Sequence, residues 1–330
     1  MKKILIIQTA FIGDTVLATS LVEKLKSYYP DAVVDFLLRK GNEGVLYGNP
    51  LVGKVWVWIK KQNKYKNLMA LLKNIRRERY DLVINAQRYA ATGLLTAFSG
   101  AKETRGFQSN PLSFLFSKRF HYSIDKDRVM HETNRLHVLI RDLTDELPAK
   151  PRIYPGKEDE AKAALYKTGP YVTLTPSSAW FTKQLPFQKW VAFMDAFDRR
   201  YRLILLGGKD NITEAEALCK ASNNPNTLML AGAMNFTESA ALMRDAEMNY
   251  VHDSAPLHFC SAINAPVTAI FCSTVPEFGF TPLSDKSYIV QYEDALSCRP
   301  CGFHGRKSCP KNHFKCGFGI PTEKLLSTLH

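Results

Sequence analysis

The sequence lacks the long apolar segments and targeting signals that mark membrane-spanning or secreted proteins. No stretch approaches the roughly 18 consecutive apolar residues that a membrane span requires. Lys2 and Lys3 precede a short apolar run, but this run stops at Gln8 and no cleavage-site pattern follows. We therefore expect a cytoplasmic protein whose contact with a membrane would be peripheral.

Signatures of three other function classes are also missing. Gly13 stands alone after the first predicted strand, and Gly207 and Gly208 lack the third glycine of a dinucleotide-binding fingerprint, which disfavours an NAD enzyme. No Gly-x-Ser-x-Gly elbow indicates a serine hydrolase. No known RNA or DNA motif accompanies the basic residues, although a nucleic-acid-binding module stays an alternative.

Positive charge is abundant and unevenly distributed along the 330 residues, whose formal net charge is +13. Residues 1–150 hold 25 Lys and Arg against 14 Asp and Glu, a balance of +11, whereas residues 151–330 hold 19 against 17, a balance of +2. The first half is therefore expected to meet an anionic partner, such as a phosphorylated substrate, an anionic membrane surface or a nucleic acid. Simple solubility is the alternative explanation.

Apolar segments of strand length alternate with segments of helical periodicity in both halves. This alternation predicts an α/β protein with parallel, doubly wound sheets. We predict a Rossmann-like domain over residues 1–150, a linker over 151–170 and a second Rossmann-like domain over 171–330, the two facing each other across a cleft.

The stretch from Val172 to Trp190 is read as a strand, a loop and a helix. Ligands of open parallel sheets bind beyond the carboxyl ends of the strands, where this loop lies. Ser177, Ser178 and Thr182 offer hydroxyl groups and Lys183 offers a positive charge, which suits an anion such as a phosphate. A solvated loop with an ordinary surface lysine is the alternative.

A second loop, residues 249–258, precedes a predicted helix. Asp253 and Ser254 are candidates to cap this helix, Pro256 suits its first turn, and the open N–H groups favour a negatively charged ligand. Capping alone would also explain Asp253 and Ser254.

Two features of the first half carry further hypotheses. Asp14 follows the first strand, where a carboxylate could take a proton from a hydroxyl group, or could cap the helix predicted from Thr15. The densest basic patch runs from Lys60 to Arg79.

Four of the seven cysteines cluster near the carboxyl terminus: Cys298, Cys301, Cys309 and Cys316. They could hold a structural zinc ion, and free thiols or oxidised pairs are the alternative. Asp125 and Asp127 have the spacing of a metal-binding pair, but Lys126 and Arg128 favour a solvated turn there.

These segments together resemble glycosyltransferase family 9, the ADP-heptose:lipopolysaccharide heptosyltransferases and their relatives. The resemblance rests on Gly13-Asp14, the strand from Tyr80 to Ile84, Pro176 to Lys183, Leu206 to Gly208, Leu230 to Gly232, and Asp253 to His258, which occur in the order typical of that family. It implies the two-domain GT-B fold and an inverting transfer that needs no metal ion.

The resemblance also implies roles for individual residues. Asp14 would be the general base, and Lys183 would stabilise the leaving diphosphate. The other substrate-binding residues would be Gly13, Thr15, Pro176, Ser177, Ser178, Trp180, Thr182, Asp210, Glu214, Asp253, Ser254, Ala255, Pro256 and His258. Ser177 and Ser178 would hold the diphosphate, Ser254 to Pro256 would add backbone contacts to it, and Asp210 or Glu214 would contact the ribose or adenine. The family usually has glycine where Ala255 stands.

The predicted activity is transfer of heptose from ADP-heptose to a lipopolysaccharide inner-core acceptor at the cytoplasmic face of the inner membrane. The acidic acceptor would be attracted by basic residues of the first half: Lys60, Lys61, Lys64, Arg76 and Arg77. Another GT-B enzyme, with a different donor or with epimerase activity, is the alternative within the fold.

Overall fold

The structure is a computed structural model that describes residues 1–124 and 129–329. The chain divides into two compact units, Met1–Tyr154 and Pro155–His330. The predicted turn at Asp125 and Asp127 lies outside the described residues.

The first unit is built on a six-stranded parallel sheet with the order β3-β2-β1-β4-β5-β6. Its central strand, β1, pairs on one side with β2 and on the other with β4, where Ile4 faces Leu82. The strands are β1 (Lys3–Ile7), β2 (Val33–Arg39), β3 (Val52–Trp58), β4 (Leu82–Asn85), β5 (Glu103–Phe107) and β6 (Lys118–Phe120).

These strands are connected by α1 (Ile12–Tyr28), α2 (Lys64–Glu78) and α3 (Ala90–Ala97), and α4 (Glu132–His137) follows β6. The sequence predicts one helix over residues 131–143, but regular α-helix ends at His137. The carbonyl of Leu139 accepts instead from the buried guanidinium of Arg105, at 3.0 Å. This long-range bond competes with continuation of the helix.

The second unit repeats the architecture with the order β12-β11-β10-β7-β8-β9. Its strands are β7 (Tyr171–Thr175), β8 (Arg202–Leu205), β9 (Thr227–Met229), β10 (Met248–His252), β11 (Val267–Phe271) and β12 (Ser287–Gln291). Its helices are α5 (Lys157–Ala164), α6 (Phe187–Ala196), α7 (Ile212–Ala221), α8 (Phe236–Arg244), α9 (Ala255–Ile263), α10 (Lys315–Phe318) and α11 (Thr322–Leu326). Helix α5 thus lies within the stretch predicted to be a linker.

Both central sheets are buried on their two faces, as parallel sheets are when helices cover them. Strands β1, β4, β10 and β11 consist entirely or almost entirely of buried residues. The predicted fold class, α/β with two Rossmann-like doubly wound domains, is confirmed.

Across residues 1–124 and 129–329, every helix is too short or too polar to cross a membrane.

Candidate functional site

Three neighbouring strands of the second unit end at one edge of its sheet. Strand β10 pairs with β7 on one side and with β11 on the other, and all three run parallel. The segments that follow them begin at Pro176, Asp253 and Cys272, and therefore meet at the carboxyl edge of the sheet, where ligands of this fold class bind.

Lys183 and Asp253 form an ion pair at this edge. The Nζ atom of Lys183 lies 2.7 Å from Oδ2 of Asp253 and donates to its backbone carbonyl at 2.9 Å. Thr274 donates its hydroxyl to the same carboxylate at 2.7 Å. The Lys183 side chain is only 13% exposed and that of Asp253 only 9%. The alternative of Lys183 as an ordinary surface lysine is therefore wrong.

The interpretation of Asp253 as a helix cap is also wrong. Its carboxylate binds Lys183 and Thr274, and the hydroxyl of Ser254 donates back to the carbonyl of His252 at 3.4 Å. Ser254 occupies the cap position of α9 without a side-chain cap bond among the described residues. The first turn of α9 therefore keeps backbone donors that can face an anion.

His252 fixes the loop that carries Lys183. Its Nε2 accepts from the backbone N–H of Leu185 at 2.8 Å, and its ring packs edge-on against Trp190. Burial lowers the pKa of His252 to about 3, so the imidazole is neutral and acts as an acceptor. The amide of Gln184 closes the same loop by donating to the carbonyl of Ser178 at 2.7 Å.

Ser177 and Glu214 are brought together, with the serine hydroxyl donating to Oε2 of Glu214 at 2.6 Å. Glu214 lies in the first turn of α7, after strand β8, whereas Asp210 is exposed in the short turn before that helix. Since β8 neighbours β7, Ser177 and Glu214 belong to the same edge of the sheet.

The other predicted donor-site residues of this unit differ in exposure. Ser254, Ala255 and Pro256 are partly exposed at the start of α9, as is Trp180 in the loop. Pro176, Thr182 and His258 are buried, so they can shape the site but offer little surface to a ligand.

The cysteine-rich segment, residues 297–313, packs against this loop. Thr182 accepts at its Oγ1 from the backbone N–H of Arg306 at 2.8 Å, and its own N–H donates to the carbonyl of Arg306 at 3.1 Å. The N–H of Cys301 donates to the carbonyl of Ser273 at 2.9 Å. A Cβ atom on Gly305 would lie 3.2 Å from Cγ of Lys183 and 3.0 Å from Oγ1 of Thr182, so glycine permits this close approach.

The clustered cysteines are free thiols in the structure. Burial, and then the neighbouring thiols of Cys301, Cys309 and Cys298, raise the pKa of Cys316 to about 11. Among residues 1–124 and 129–329, no three His, Cys, Asp or Glu side chains are arranged to hold a metal ion. A structural zinc ion at these cysteines stays a prediction.

Asp14 lies in the first unit at the start of α1. The helix begins at Ile12 with Phe11 in the cap position, so Gly13 is helical and Asp14 lies in the first turn. The predicted helix start at Thr15, and with it the role of Asp14 as a cap, is therefore wrong. A carboxylate in the first turn is favoured by the helix dipole. Thr15 is fully buried and accepts at its hydroxyl from the amide of Asn42 at 2.9 Å.

The predicted acceptor-binding residues occupy two different edges of the first unit. Lys60 follows β3 at the carboxyl edge, where its Nζ donates to the carbonyl of Thr9 at 2.6 Å. Burial, and then the charges of Arg39 and Lys64, lower its pKa to about 8. The other four predicted residues are exposed: Lys61, Lys64, Arg76 and Arg77.

Helix α2 separates Lys64 from the two arginines. Lys64 is its first residue and Arg77 lies 13 residues later, which is about 20 Å along a helix axis. Next to Arg77, Glu78 is ion-paired with Lys54 at 2.8 Å and with Lys3, the first residue of β1. Arg76 and Arg77 are therefore at the amino edge of the sheet, and Lys60 is at the opposite edge with Asp14.

The sequence patterns did not identify several polar residues at the carboxyl edges of the two sheets. Thr274 and Ser273 follow β11, and Gln8, Asn85 and Gln87 lie at the ends of β1 and β4. All five are polar residues at the carboxyl ends of parallel strands, which is the signal that could have identified them.

Comparison with known families matches residues 68–311 to glycosyltransferase family 9 (heptosyltransferase). The match spans about three quarters of the chain and includes the Lys183 and Asp253 segments, whereas Asp14 and Lys60 precede it.

Individual proteins resemble the chain over most of its length. Lipopolysaccharide heptosyltransferase 3 of Escherichia coli is 27% identical over 278 residues, covering 80% of this chain and 82% of the relative. The crystal structure of a family 9 glycosyl transferase from Veillonella parvula has a TM-score of 0.85 and 19% identity, with 99% and 96% of the two chains covered. ADP-heptose lipopolysaccharide heptosyltransferase II of E. coli has a TM-score of 0.81 and 19% identity, with 100% and 97% covered.

Proposed function

The chain belongs to glycosyltransferase family 9, and from this membership we propose that it transfers heptose from ADP-heptose to a hydroxyl group of a lipopolysaccharide inner-core acceptor. The observation that carries the proposal is the similarity to lipopolysaccharide heptosyltransferase 3, which extends over about four fifths of both proteins. The family membership itself makes the chain a glycosyltransferase.

The carboxyl edge of the second unit suits the donor. We propose that the diphosphate of ADP-heptose binds at the start of α9, where backbone N–H groups and the helix dipole favour negative charge. Lys183 holds the Asp253 turn in place and adds positive charge beside it. As the bond between the sugar and the diphosphate breaks, these groups stabilise the charge that develops on the leaving ADP.

The polar side chains after β7 and β8 suit the rest of the nucleotide. Ser177, which is bonded to Glu214, would orient that carboxylate toward the ribose hydroxyls. Hydroxyl groups are good donors to a carboxylate. Glu214 fits this role better than Asp210, because Ser177 holds the Glu214 carboxylate at the edge of the sheet whereas Asp210 is exposed.

Asp14 is the proposed general base. It would accept the proton of the acceptor hydroxyl while the hydroxyl oxygen attacks the anomeric carbon from the side opposite to ADP, which inverts the configuration. Asp14 lies in the first turn of α1, close after the end of β1, which is where ligands of this fold class bind.

Helix α2 suits a peripheral contact with an anionic membrane. Its exposed face combines Tyr65 and Met69, which are 73% and 55% exposed, with the cations Lys66, Lys73 and Arg77. Cations attract the head groups of anionic lipids, and exposed apolar side chains can enter the interface. We propose that this face docks on the cytoplasmic leaflet of the inner membrane.

The proposal is tested with purified protein, ADP-heptose and deacylated core oligosaccharides truncated at successive positions. Heptose added to one of these acceptors, with release of one ADP per transfer, is the expected result. Mass spectrometry of the product and an assay of released ADP measure the two sides of the reaction. UDP- and GDP-sugars serve as donor controls.

Two results would contradict this function. Transfer of a different sugar in preference to heptose would overturn the donor assignment. Release of a free or epimerised sugar at the same rate with and without an acceptor would indicate another GT-B nucleotide-sugar enzyme.

A further inference from the structure

Three amide side chains lie where the strand order of the first unit reverses. Strands β1 and β4 are neighbours at the centre of the sheet, and the chain continues from them to different edges, so their carboxyl ends border the crevice of a doubly wound sheet. Gln8 directly follows β1, Asn85 ends β4, and Gln87 comes two residues later. All three are buried, with exposures of 2%, 0% and 6%.

Hydrogen bonds fix which way each amide faces. Gln8 donates its Nε2 to the carbonyl of Ala86 at 3.3 Å and accepts at its Oε1 from the N–H of Ala10 at 3.1 Å and from Nε2 of Gln87. Asn85 accepts at its Oδ1 from the N–H of Gln87 at 3.0 Å. Turning over the Gln87 amide would place two carbonyl oxygens against each other, so the orientation is determined by the network.

This network leaves one acceptor and one donor over. Oε1 of Gln87 and Nδ2 of Asn85 have no hydrogen-bond partner among the described residues, although both are buried. Unpaired buried polar atoms destabilise a fold and call for an explanation. A hydroxyl group can donate to Oε1 of Gln87 and a hydroxyl oxygen can accept from Nδ2 of Asn85, so a molecule rich in hydroxyl groups supplies what both atoms lack.

Charged groups flank the neutral amides. Thr9, next to Gln8, accepts at its carbonyl from Nζ of Lys60 at 2.6 Å and at its Oγ1 from the same atom at 3.1 Å. Arg88, next to Gln87, is exposed and lies over the ring of Tyr122 at 4.4 Å. Asp14 lies in the helix that follows β1. The edge therefore combines a neutral polar centre, two cations and one carboxylate.

We propose that Gln87 and Asn85 bind hydroxyl groups of the acceptor sugar and so position that sugar relative to Asp14. The ligand class is a polyol that also carries an anionic group, which Lys60 and Arg88 would attract. The inference rests on the proposed function for the identity of the transferred sugar, while the unpaired amide atoms carry the acceptor site itself.

The test uses Gln87→Met, which keeps the length of the side chain and removes both amide atoms, and Gln87→Asn, which keeps the amide and shortens the chain. Binding of a deacylated core oligosaccharide is measured by calorimetry without donor. Both variants are expected to bind the oligosaccharide at least tenfold more weakly, with a matching rise in the acceptor KM and with ADP binding unchanged. Gln188→Met, at an exposed position of α6, is the control.

Thermal unfolding separates binding from folding. Gln87→Met removes a buried unpaired oxygen, but it also removes the bond from Nε2 of Gln87 to Oε1 of Gln8, which still accepts from the N–H of Ala10. Because these two effects oppose each other, the unfolding temperature of the variant should stay close to that of the wild type. If both Gln87 variants bind the oligosaccharide within twofold of the wild type, the unpaired atoms bind only internal water and the inference is wrong.

The outcomes also separate this inference from the proposed function. A wild type that binds the oligosaccharide through Gln87 but transfers no heptose to it would overturn the proposed function and leave the acceptor site standing. A wild type that transfers heptose, with Gln87 variants that bind the acceptor normally, would overturn the acceptor site and leave the proposed function standing.

Discussion

The two units of the chain have the same strand order and different chemistry at the carboxyl edge. Counted from its own first strand, each sheet has the order 3-2-1-4-5-6. In the first unit this edge presents amides, Asp14 and Lys60, whereas in the second it presents an ion pair, hydroxyls and the open end of α9. One topology thus presents two edges of different chemistry, and we expect the side chains that follow the strands to decide which edge suits a sugar and which suits a diphosphate.

Removal of the Asp14 carboxylate, in the first unit, should have the largest effect on the rate of transfer. Asp14→Asn keeps the shape of the side chain and abolishes its basicity, so the rate of transfer should fall about a hundredfold or more. The initial rate of ADP release in the presence of acceptor measures this. Asp31→Asn, at an exposed position of the same unit, is the control.

The nucleotide-induced rise in unfolding temperature should be the same for Asp14→Asn as for the wild type, because the proposed nucleotide site lies in the other unit. A rate within tenfold of the wild type would show that Asp14 is not the base.

In the second unit, the effects of Lys183 and Asp253 on the free energy of unfolding should depend strongly on each other. Lys183→Met or Asp253→Asn alone leaves one largely buried charge without its partner, which should cost about 3–5 kcal/mol of unfolding free energy. The double variant removes both charges and should recover much of this loss. Urea unfolding of the four proteins gives the coupling energy.

The rate of transfer should not recover together with the stability in the double variant. The double variant lacks the positive charge beside α9, so its transfer rate should stay as low as that of Lys183→Met. If the stability losses of the two single variants simply add in the double variant, the ion pair does not form in solution. Lys189→Met, on α6, controls for the loss of a lysine elsewhere in the unit.

Lys60 should make the binding of the acceptor by the first unit depend on pH. Its pKa is lowered to about 8, so the charge that attracts an anionic acceptor is present below pH 8 and is lost as the pH rises through this value. The acceptor KM should therefore rise several-fold between pH 7 and pH 9. Lys60→Arg should move this rise to higher pH, since arginine stays charged.

The lowered pKa of Lys60 also predicts how the stability of the fold depends on pH. Because the pKa of Lys60 is lower in the folded chain than in the unfolded one, its contribution to stability should increase as the pH rises from about 8 toward the ordinary lysine value. An acceptor KM that is flat from pH 7 to pH 9 would contradict the assignment of Lys60 to the acceptor edge.

The arginine at the far end of α2 should have the smallest effect on catalysis. Arg77→Gln removes one exposed cation from the proposed membrane face, which should weaken binding to vesicles of anionic lipid about fivefold, or about 1 kcal/mol. Transfer to a deacylated, soluble acceptor should stay near the wild-type rate. A large loss with the soluble acceptor would instead place Arg77 in the acceptor site.

The fold was predictable because its central strands are short and largely apolar, and because segments of helical periodicity separate them. Strand β10 illustrates the limit of such patterns: its segment was found, but the ion pair beyond it depends on Lys183, 70 residues earlier in the chain. Local sequence made Asp253 resemble a helix cap, since capping residues and ligands of a distant lysine are of the same chemical types.

The boundaries of helices were misjudged for a related reason. The first helix was predicted to begin at Thr15, yet it begins at Ile12, so Gly13 is helical and the extended residue before the helix is Phe11. Similarly, the basic patch around α2 is continuous in sequence, but a helix of this length carries its two ends to opposite edges of the sheet.

The hydrogen bonds from the cysteine-rich segment to Thr182 of the Lys183 loop and to Ser273 after β11 use main-chain atoms of the segment, at Arg306 and Cys301. The side chain of Arg306 can therefore change during evolution without loss of those bonds. Gly305 is the exception, because any side chain there would press on the lysine. Sequence drift should accordingly be wide at Arg306 and narrow at Gly305, and narrow also at Arg299, whose guanidinium donates to the carbonyl of Thr274 at 2.8 Å.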